Sequence, residues 1–148
     1  MFNPLNKAPD KRIIRFIRSH HVLTMATSAN NIPWCANCFY VYLPESNELL
    51  FTSDDTTRHI SEGLMNNTVA GSVVLESRWV GKIRGLQFTG TLRPVENYEL
   101  PQYRKHYLKR FPYTALTKLM LWKIILTGLK YTDNRLGFGT KIYWPEKK

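Results

Sequence analysis

The chain has 148 residues, of which 43% are hydrophobic and 13% aromatic, and this composition excludes an intrinsically disordered chain. Its length suits one domain over residues 1–148, with enough apolar side chains for a core. The formal net charge is +10, and the basic excess lies at the two ends. Residues 1–21 hold five basic and one acidic residue, residues 22–100 hold five and eight, and residues 101–148 hold eleven and two. Charged flanks are more typical of a solvated surface than of a nucleic-acid groove, so we do not expect a nucleic-acid partner.

Two further features bear on where the protein works. Residues 1–11 lack the apolar stretch of a signal peptide, and the most apolar run, Leu119–Leu126, is short and contains Lys123. Without an export signal, the two cysteines indicate a reducing compartment. We therefore expect a cytoplasmic protein with no membrane partner.

Hydrophobic spacing and turn residues predict a mainly β chain with helices between its strands. Pro9 suits the first turn of the opening helix, Asn97 suits the N-cap of a later one, and Pro112 ends that helix. Helices are predicted over residues 9–19, 58–66, 97–110 and 113–120. Strands are predicted over residues 22–28, 32–43, 48–53, 69–76, 82–95 and 121–132, with a last extended segment over 136–144. Six or seven strands at this spacing indicate a small closed or partly closed antiparallel barrel.

Two of these strands differ in their patterning. Residues 69–76 are apolar on both faces, which predicts a strand covered on both sides. The strand over 82–91 instead alternates, with Arg84, Leu86 and Phe88 on one face and Gly85, Gln87 and Thr89 on the other. That second face is small and polar, and it suits either the approach of a flat ligand or contact with solvent.

The segment Asp54-Asp55-Thr56-Thr57-Arg58-His59 leads from a predicted strand into a predicted helix. A helix start offers free backbone N–H groups, and hydroxyls and a guanidinium accompany them here, which is the chemistry of a phosphate site. Asp and Thr before a helix are also ordinary N-caps, and Arg58 could pair with Asp54 or Asp55. The local sequence leaves both functions open.

The segment Trp34-Cys35-Ala36-Asn37-Cys38 has the CxxC spacing of thioredoxin-like redox sites. Such a site needs its first cysteine at a helix N-terminus, whereas this motif lies in a predicted strand, where Cys35 and Cys38 point to opposite faces. We therefore expect ordinary strand residues and no redox pair. One CxxC also lacks the second ligand pair of a zinc site, and the four histidines have no metal-ligand spacing. The sequence contains no Ser-His-Asp pattern, paired carboxylates or dinucleotide fingerprint.

Five segments, taken together and in order, resemble one protein family. They are HVLTMATSANNIPWCANCFY (21–40), LLFTSDDTTRH (49–59), NNTVAGSVV (66–74), IRGLQFTGTL (83–92) and TDNRLGFGTK (132–141). They resemble the FMN-binding split barrel of the pyridoxamine 5′-phosphate oxidase-like proteins, and most closely the YhbP-type bacterial branch of that family. The resemblance covers nearly the whole chain.

The resemblance implies a six-stranded antiparallel Greek-key split barrel that forms a homodimer with FMN at each of two interface sites. It places the flavin phosphate at the end of the third strand and the start of the next helix, and the isoalloxazine ring along the second strand. The implied cofactor-binding residues are Thr52, Ser53, Thr57 and Arg58 for the phosphate, and Ala36, Asn37, Cys38, Phe39 and Gln87 for the ring. Gln87 is included because Gly85 stands where the oxidases carry a flavin-contacting Gln.

The function that follows from the resemblance is an FMN-dependent oxidoreductase acting on an unidentified small-molecule substrate, with the flavin supplying the redox chemistry. Vitamin B6 oxidation is not expected, because the C-terminal residues with which the oxidases bind pyridoxal phosphate have no counterpart here. An alternative is a non-catalytic binder of flavin, haem or another flat cofactor on the same fold. A third possibility is a basic nucleic-acid-binding module that uses the terminal Lys and Arg residues.

Overall fold

The computed structural model describes residues 7–146, which form seven strands in one antiparallel sheet and three α-helices. The strands are β1 Val22–Ala29, β2 Ile32–Leu43, β3 Glu48–Thr52, β4 Thr68–Leu75, β5 Arg84–Pro94, β6 Leu121–Asp133 and β7 Lys141–Trp144. The helices are α1 Lys11–Ser19, α2 Arg58–Met65 and α3 Leu100–Arg110, with short 3₁₀ turns at Val80–Lys82, Pro112–Leu116 and Asn134–Leu136. The mainly β fold that the sequence predicts is confirmed.

Strand β6 closes the sheet. The strands lie in the order β3-β2-β1-β4-β5-β6-β7, and β3 also pairs with β6. The first half of β6 lies beside β3, with Leu121 opposite Thr52, whereas its second half lies beside β7, with Leu129 opposite Trp144. Strands β1 to β6 therefore form a closed ring of pairings. The expected count of six strands is wrong, because the last extended segment pairs with β6 as a seventh strand.

The ring encloses a core into which alternate strand residues point. In β5, Leu86 and Phe88 are buried whereas Gln87 and Thr89 are exposed, as the two-residue period of a strand predicts. Ile13 of α1 is fully buried and joins the same core. Burying such an aliphatic side chain contributes about 1.5–3 kcal/mol, so the core supplies most of the driving force for folding.

Helices α1 and α3 begin later than the sequence predicts, whereas α2 begins at Arg58 as predicted. The Asp10 carboxylate accepts a hydrogen bond from the Arg12 N–H at 2.8 Å, so Asp10 is the N-cap of α1 and Pro9 lies outside the helix. Helix α3 begins after Glu99 and not after Asn97, because residues 96–99 first close a separate turn. Among residues 7–146 no helix is long and apolar enough to cross a membrane, and the longest, α3, has 11 residues.

The expectation that residues 69–76 are covered on both faces is wrong for the single chain. Val69 and Val73 of β4 are buried in the core, but Val74 on the opposite face is 64% exposed. Val22 of β1 and Phe39 of β2 lie opposite each other and are also exposed. We call the outward side of β1, β2, β4 and β5, which carries Val22, Phe39, Val74 and Gln87, the open face. Three large apolar side chains on one sheet surface suit a protein–protein contact.

Lys123 is a buried cation of β6 that joins the sheet to α3. Its Nζ lies 2.7 Å from Glu99 Oε1 and 3.8 Å from Glu48 Oε1, and the Tyr103 hydroxyl donates to Glu48 at 2.6 Å. Burial raises the pKa of Glu99, but hydrogen bonds from Lys123 and from the Glu96 backbone outweigh it, so this pKa lies below its ordinary value. The cluster therefore fixes the start of α3 on the sheet.

Replacing Lys123 by Met should lower the free energy of unfolding by about 3–5 kcal/mol, because the buried Glu48 and the half-buried Glu99 would be left without a cation. Folding lowers the pKa of Glu99, so its stabilising contribution is present above the ordinary value of 4.5 and is lost as the pH falls through the folded-state pKa. Urea denaturation at neutral and at acidic pH measures both effects. The exposed control Lys141→Met should change the unfolding free energy by less than about 0.5 kcal/mol. Equal stability of Lys123→Met and the wild type at neutral pH would contradict this role.

Candidate functional site at the β3–α2 junction

The junction between β3 and α2 is a turn held by its own polar groups. The Asp54 carboxylate accepts hydrogen bonds from the Thr56 hydroxyl at 2.7 Å and the Thr56 N–H at 2.9 Å, and these lower the pKa of Asp54. The Thr57 hydroxyl donates to the Asp54 carbonyl oxygen at 2.7 Å. Thr57 occupies the N-cap position of α2, yet its side chain makes no capping hydrogen bond. The first N–H groups of α2 therefore remain available to a ligand, as at helix starts that bind anions.

Three side chains converge beside this turn. Ser53 Oγ lies 3.2 Å from Thr57 Oγ1 and 2.7 Å from His59 Nε2, and Thr57 Oγ1 lies 3.4 Å from the same nitrogen. Burial lowers the pKa of His59, which keeps its ring uncharged at neutral pH. The structure thus brings together the predicted Ser53 and Thr57 and adds His59. The sequence does not predict His59, because its approach to Ser53 depends on the direction in which α2 leaves the turn.

A groove of about 330 Å³ runs along the junction. Its lining residues are Thr52, Ser53, Asp54, Asp55, Thr56, Lys118 and Met120. The Thr52 hydroxyl donates to the Met120 carbonyl oxygen at 3.0 Å, so this predicted site residue is already engaged within the fold. Lys118 brings a cation into the groove from the segment before β6. The sequence does not predict Lys118, which is 60 or more residues away from the rest of the junction along the chain.

Arg58 is held beside the junction by two partners. Its Nε donates to Glu62 Oε1 at 2.7 Å, and its guanidinium lies 4.2 Å from the centre of the Trp34 ring. Hydrogen bonds from Arg58 and from the Thr27 hydroxyl lower the pKa of Glu62. The pairing of Arg58 with Asp54 or Asp55 that the sequence leaves open is therefore not formed. Within residues 7–146 the two Nη groups of Arg58 make no hydrogen bond, so they remain free to donate.

The predicted ring-binding segment of β2 divides between two faces. Asn37 and Phe39 point outward onto the open face, and Asn37 Oδ1 accepts a hydrogen bond from the Thr24 hydroxyl at 2.8 Å. Cys38 points into the core, where burial raises the pKa of its thiol to about 11, and only its backbone is available on the open face. Ala36 is half-buried. Cys35 is exposed, which confirms that the two cysteines face opposite ways and are not placed to form a disulfide with each other.

Gln87 shares the open face with Asn37 but lies far from it. Asn37 is opposite Thr24, Thr24 is opposite Ser72, and Ser72 is opposite Gln87. Three strand spacings separate the two ends of this row, which is about 14 Å. The predicted residues of one chain thus lie in three places, at the junction, along β2 and on β5.

The chemistry available at the junction is anion binding. Among the described residues 7–146, no three His, Cys, Asp or Glu side chains are grouped so as to hold a metal ion. The junction instead offers backbone N–H groups, two hydroxyls, an imidazole and the free end of a guanidinium, which are donors for phosphate oxygens. The fold and the junction therefore define a mainly β protein with a group of hydrogen-bond donors at a helix start.

Comparison with known proteins gives the family of the chain and relatives of its fold. No family model matches the chain. The chain is 38% identical over 130 residues to the UPF0306 protein YhbP of Salmonella paratyphi C (strain RKS4594), covering 88% of each protein. It therefore belongs to the UPF0306 family, and the predicted resemblance to YhbP-type proteins is confirmed.

Two solved structures share the fold at low sequence identity. The haem-binding protein from Mycobacterium smegmatis has a TM-score of 0.69 at 17% identity, with 86% of this chain and 54% of that chain covered, so the chain spans about half the length of that protein. An FAD-binding protein from Mesorhizobium loti has a TM-score of 0.67 at 13% identity, with 80% of this chain and 87% of that chain covered. These likenesses establish the fold alone.

Proposed function

We propose that the chain is an FMN-binding split-barrel protein of the pyridoxamine 5′-phosphate oxidase-like class, and that it acts as an FMN-dependent oxidoreductase on a small substrate. The observation that carries this proposal is the uncapped start of α2, with Ser53 and Thr57 beside it and Arg58 presenting two free Nη groups. One structural neighbour is an FAD-binding protein, which supports a flavin as the ligand.

The phosphate of FMN fits the donors at the junction. The N–H groups of the first turn of α2 supply a partial positive charge, and Ser53 and Thr57 can turn their hydroxyl hydrogens from their present partners to the phosphate oxygens. Arg58 adds a full charge while Glu62 and Trp34 hold its guanidinium in position. Lys118 lines the adjoining groove together with Asp54 and Asp55 and offsets the charge of these two carboxylates.

The isoalloxazine ring would lie on the open face beside Asn37 and Phe39. The flavin, when bound, supplies hydride transfer, and the side chains around it position it and set its polarity. Gln87 is about 14 Å from Asn37 along the sheet and cannot reach the same ring edge within one chain. In a homodimer that forms across the open face, one protomer would supply β2 and its partner would supply β5, so that both strands could contact the same flavin ring.

A non-catalytic binder of haem or another flat cofactor is the second candidate. It is supported by the haem-binding neighbour and by the open face, which would accommodate any large planar ring. A haem lacks the phosphate of FMN, so it would not use the donors at the α2 start in the same way. Nicotinamide-dependent reduction of a bound flavin would favour the oxidoreductase over this alternative.

The homodimer leads to a prediction about mass. The wild type should sediment at twice its chain mass of 17.3 kDa, because Val22, Phe39 and Val74 would be covered by the second copy. Val74→Glu places a charge in this apolar contact and should shift the protein toward monomer and weaken FMN binding. Leu116→Glu, at a 98% exposed position outside the open face, serves as the control and should remain dimeric. A stable wild-type monomer with FMN bound would rule the dimer out.

Arg58 provides the direct test of the phosphate site. Arg58→Ala should weaken FMN affinity by roughly 30-fold, since it removes the charge partner of the phosphate. Riboflavin, which lacks the phosphate, should bind wild type and variant nearly equally. Titration of each ligand, followed by quenching of flavin fluorescence, measures all four affinities.

The control for this test is Arg15→Ala, at an exposed position of α1, which should bind FMN as the wild type does. If Arg58 serves only to pair with Glu62 and pack on Trp34, Arg58→Ala will lower thermal stability and leave FMN affinity unchanged. That outcome would place the phosphate elsewhere.

A further inference from the structure

A second polar groove lies where the C-terminal ends of α1 and α3 meet the end of β2. Its volume is about 500 Å³, within the range of small-molecule sites. The lining residues are Arg18 of α1, residues 41–45 at the end of β2 and in the turn after it, and His106, Lys109 and Arg110 of α3. Two helices that are about 90 residues apart in sequence thus direct their cations into one concavity.

The positive charge of this groove is not neutralised by ion pairs among the described residues 7–146. Among residues 7–146, five Lys or Arg side chains have a carboxylate within 4.0 Å, and all five lie outside this groove. They are Lys7, Arg12, Arg58, Lys123 and Arg135. Within that same range Arg18, Lys109 and Arg110 have no such partner, and the one acidic lining residue, Glu45, forms no ion pair. Three guanidinium or ammonium groups therefore face a single carboxylate.

Arg110 is fixed in position. Its Nη2 donates to the His20 carbonyl oxygen at 2.7 Å, and its Nε is buried without a hydrogen-bond partner in the described chain. Burial, followed by the charge of Arg110, lowers the pKa of His21, which lies beside it. Arg110 is thus a fixed positive charge close to His21.

The helix dipole gives a simpler reason for part of this arrangement. Cations in the last turn of a helix stabilise its negative end, and Arg18, Lys109 and Arg110 all occupy such positions. That effect operates on each helix separately. It does not account for the convergence of the two helix ends on one groove, or for the unpartnered Nε of Arg110.

We infer that this groove binds a small phosphate monoester whose body carries hydroxyl groups. Arg18 and Lys109 would contact the phosphate, Arg110 would add its fixed charge, and Glu45 would accept a hydrogen bond from a ligand hydroxyl. A concave groove containing a carboxylate suits a small ligand better than it suits a continuous polyanion or a flat membrane surface. None of its residues belongs to the β3–α2 junction, so this site does not depend on the proposed flavin site.

The test uses ribose 5-phosphate as the probe and ribose as its phosphate-free control, titrated calorimetrically into FMN-saturated full-length protein. Wild type should bind ribose 5-phosphate saturably and should not bind ribose. The double variant Arg18→Gln/Lys109→Gln should weaken this binding by roughly tenfold or more, because two charge-assisted hydrogen bonds are lost. Arg110 is left in place because it holds the backbone at His20.

Two controls separate this groove from other causes. Lys105→Gln/Lys141→Gln removes the same charge from exposed positions outside the groove and should leave binding unchanged. The variant Arg58→Ala, which tests the flavin phosphate site, should also bind ribose 5-phosphate as the wild type does. Absence of saturable binding, or equal binding by the groove variant and the wild type, would overturn the inference. Binding of anionic vesicles or of single-stranded DNA that depends on Arg18 and Lys109, without binding of ribose 5-phosphate, would also overturn it.

Discussion

The pairing of β6 with three different strands determines where each candidate binding residue lies. Along its whole length β6 pairs with β5, while its first half closes the ring with β3 and its second half pairs with β7. Closure against β3 fixes Thr52 beside Leu121 and therefore sets the position of the β3–α2 junction. The same closure directs one face of β1, β2, β4 and β5 inward and leaves the open face outward. The proposed ligand site and the proposed dimer contact both follow from it.

In the proposed phosphate site two carboxylates, Asp54 and Glu62, hold neighbouring hydrogen-bond donors in place. The Asp54 carboxylate accepts hydrogen bonds from the N–H and the hydroxyl of Thr56, so its negative charge is partly compensated within the turn. Glu62 holds Arg58 through Nε alone and leaves the other end of the guanidinium free. In both cases a carboxylate holds a neighbouring group in position and leaves other hydrogen-bond donors of the junction available.

The sequence predicts most of what depends on local spacing. Strand period alone places Leu86 inward, Gln87 outward and the two cysteines on opposite faces, because neighbouring side chains in a strand alternate whatever the strand pairs with. The sequence could not predict that Val74 is exposed. Apolar residues on both faces are typical of a strand that is covered on both sides, but the sequence does not show whether another part of the chain covers the outer face. His59, Lys118 and the stacking of Arg58 on Trp34 were also missed, since each depends on how distant segments meet in space.

The most direct test of the central claim is identification of the small molecule that copurifies with the protein. The protein is expressed without added cofactor and denatured, and the released ligand is measured by absorbance and mass spectrometry. We expect FMN in an amount equimolar with the chain, together with a flavin spectrum in the native protein. Release of haem in place of flavin, or failure of the purified protein to bind FMN when it is added, would contradict it.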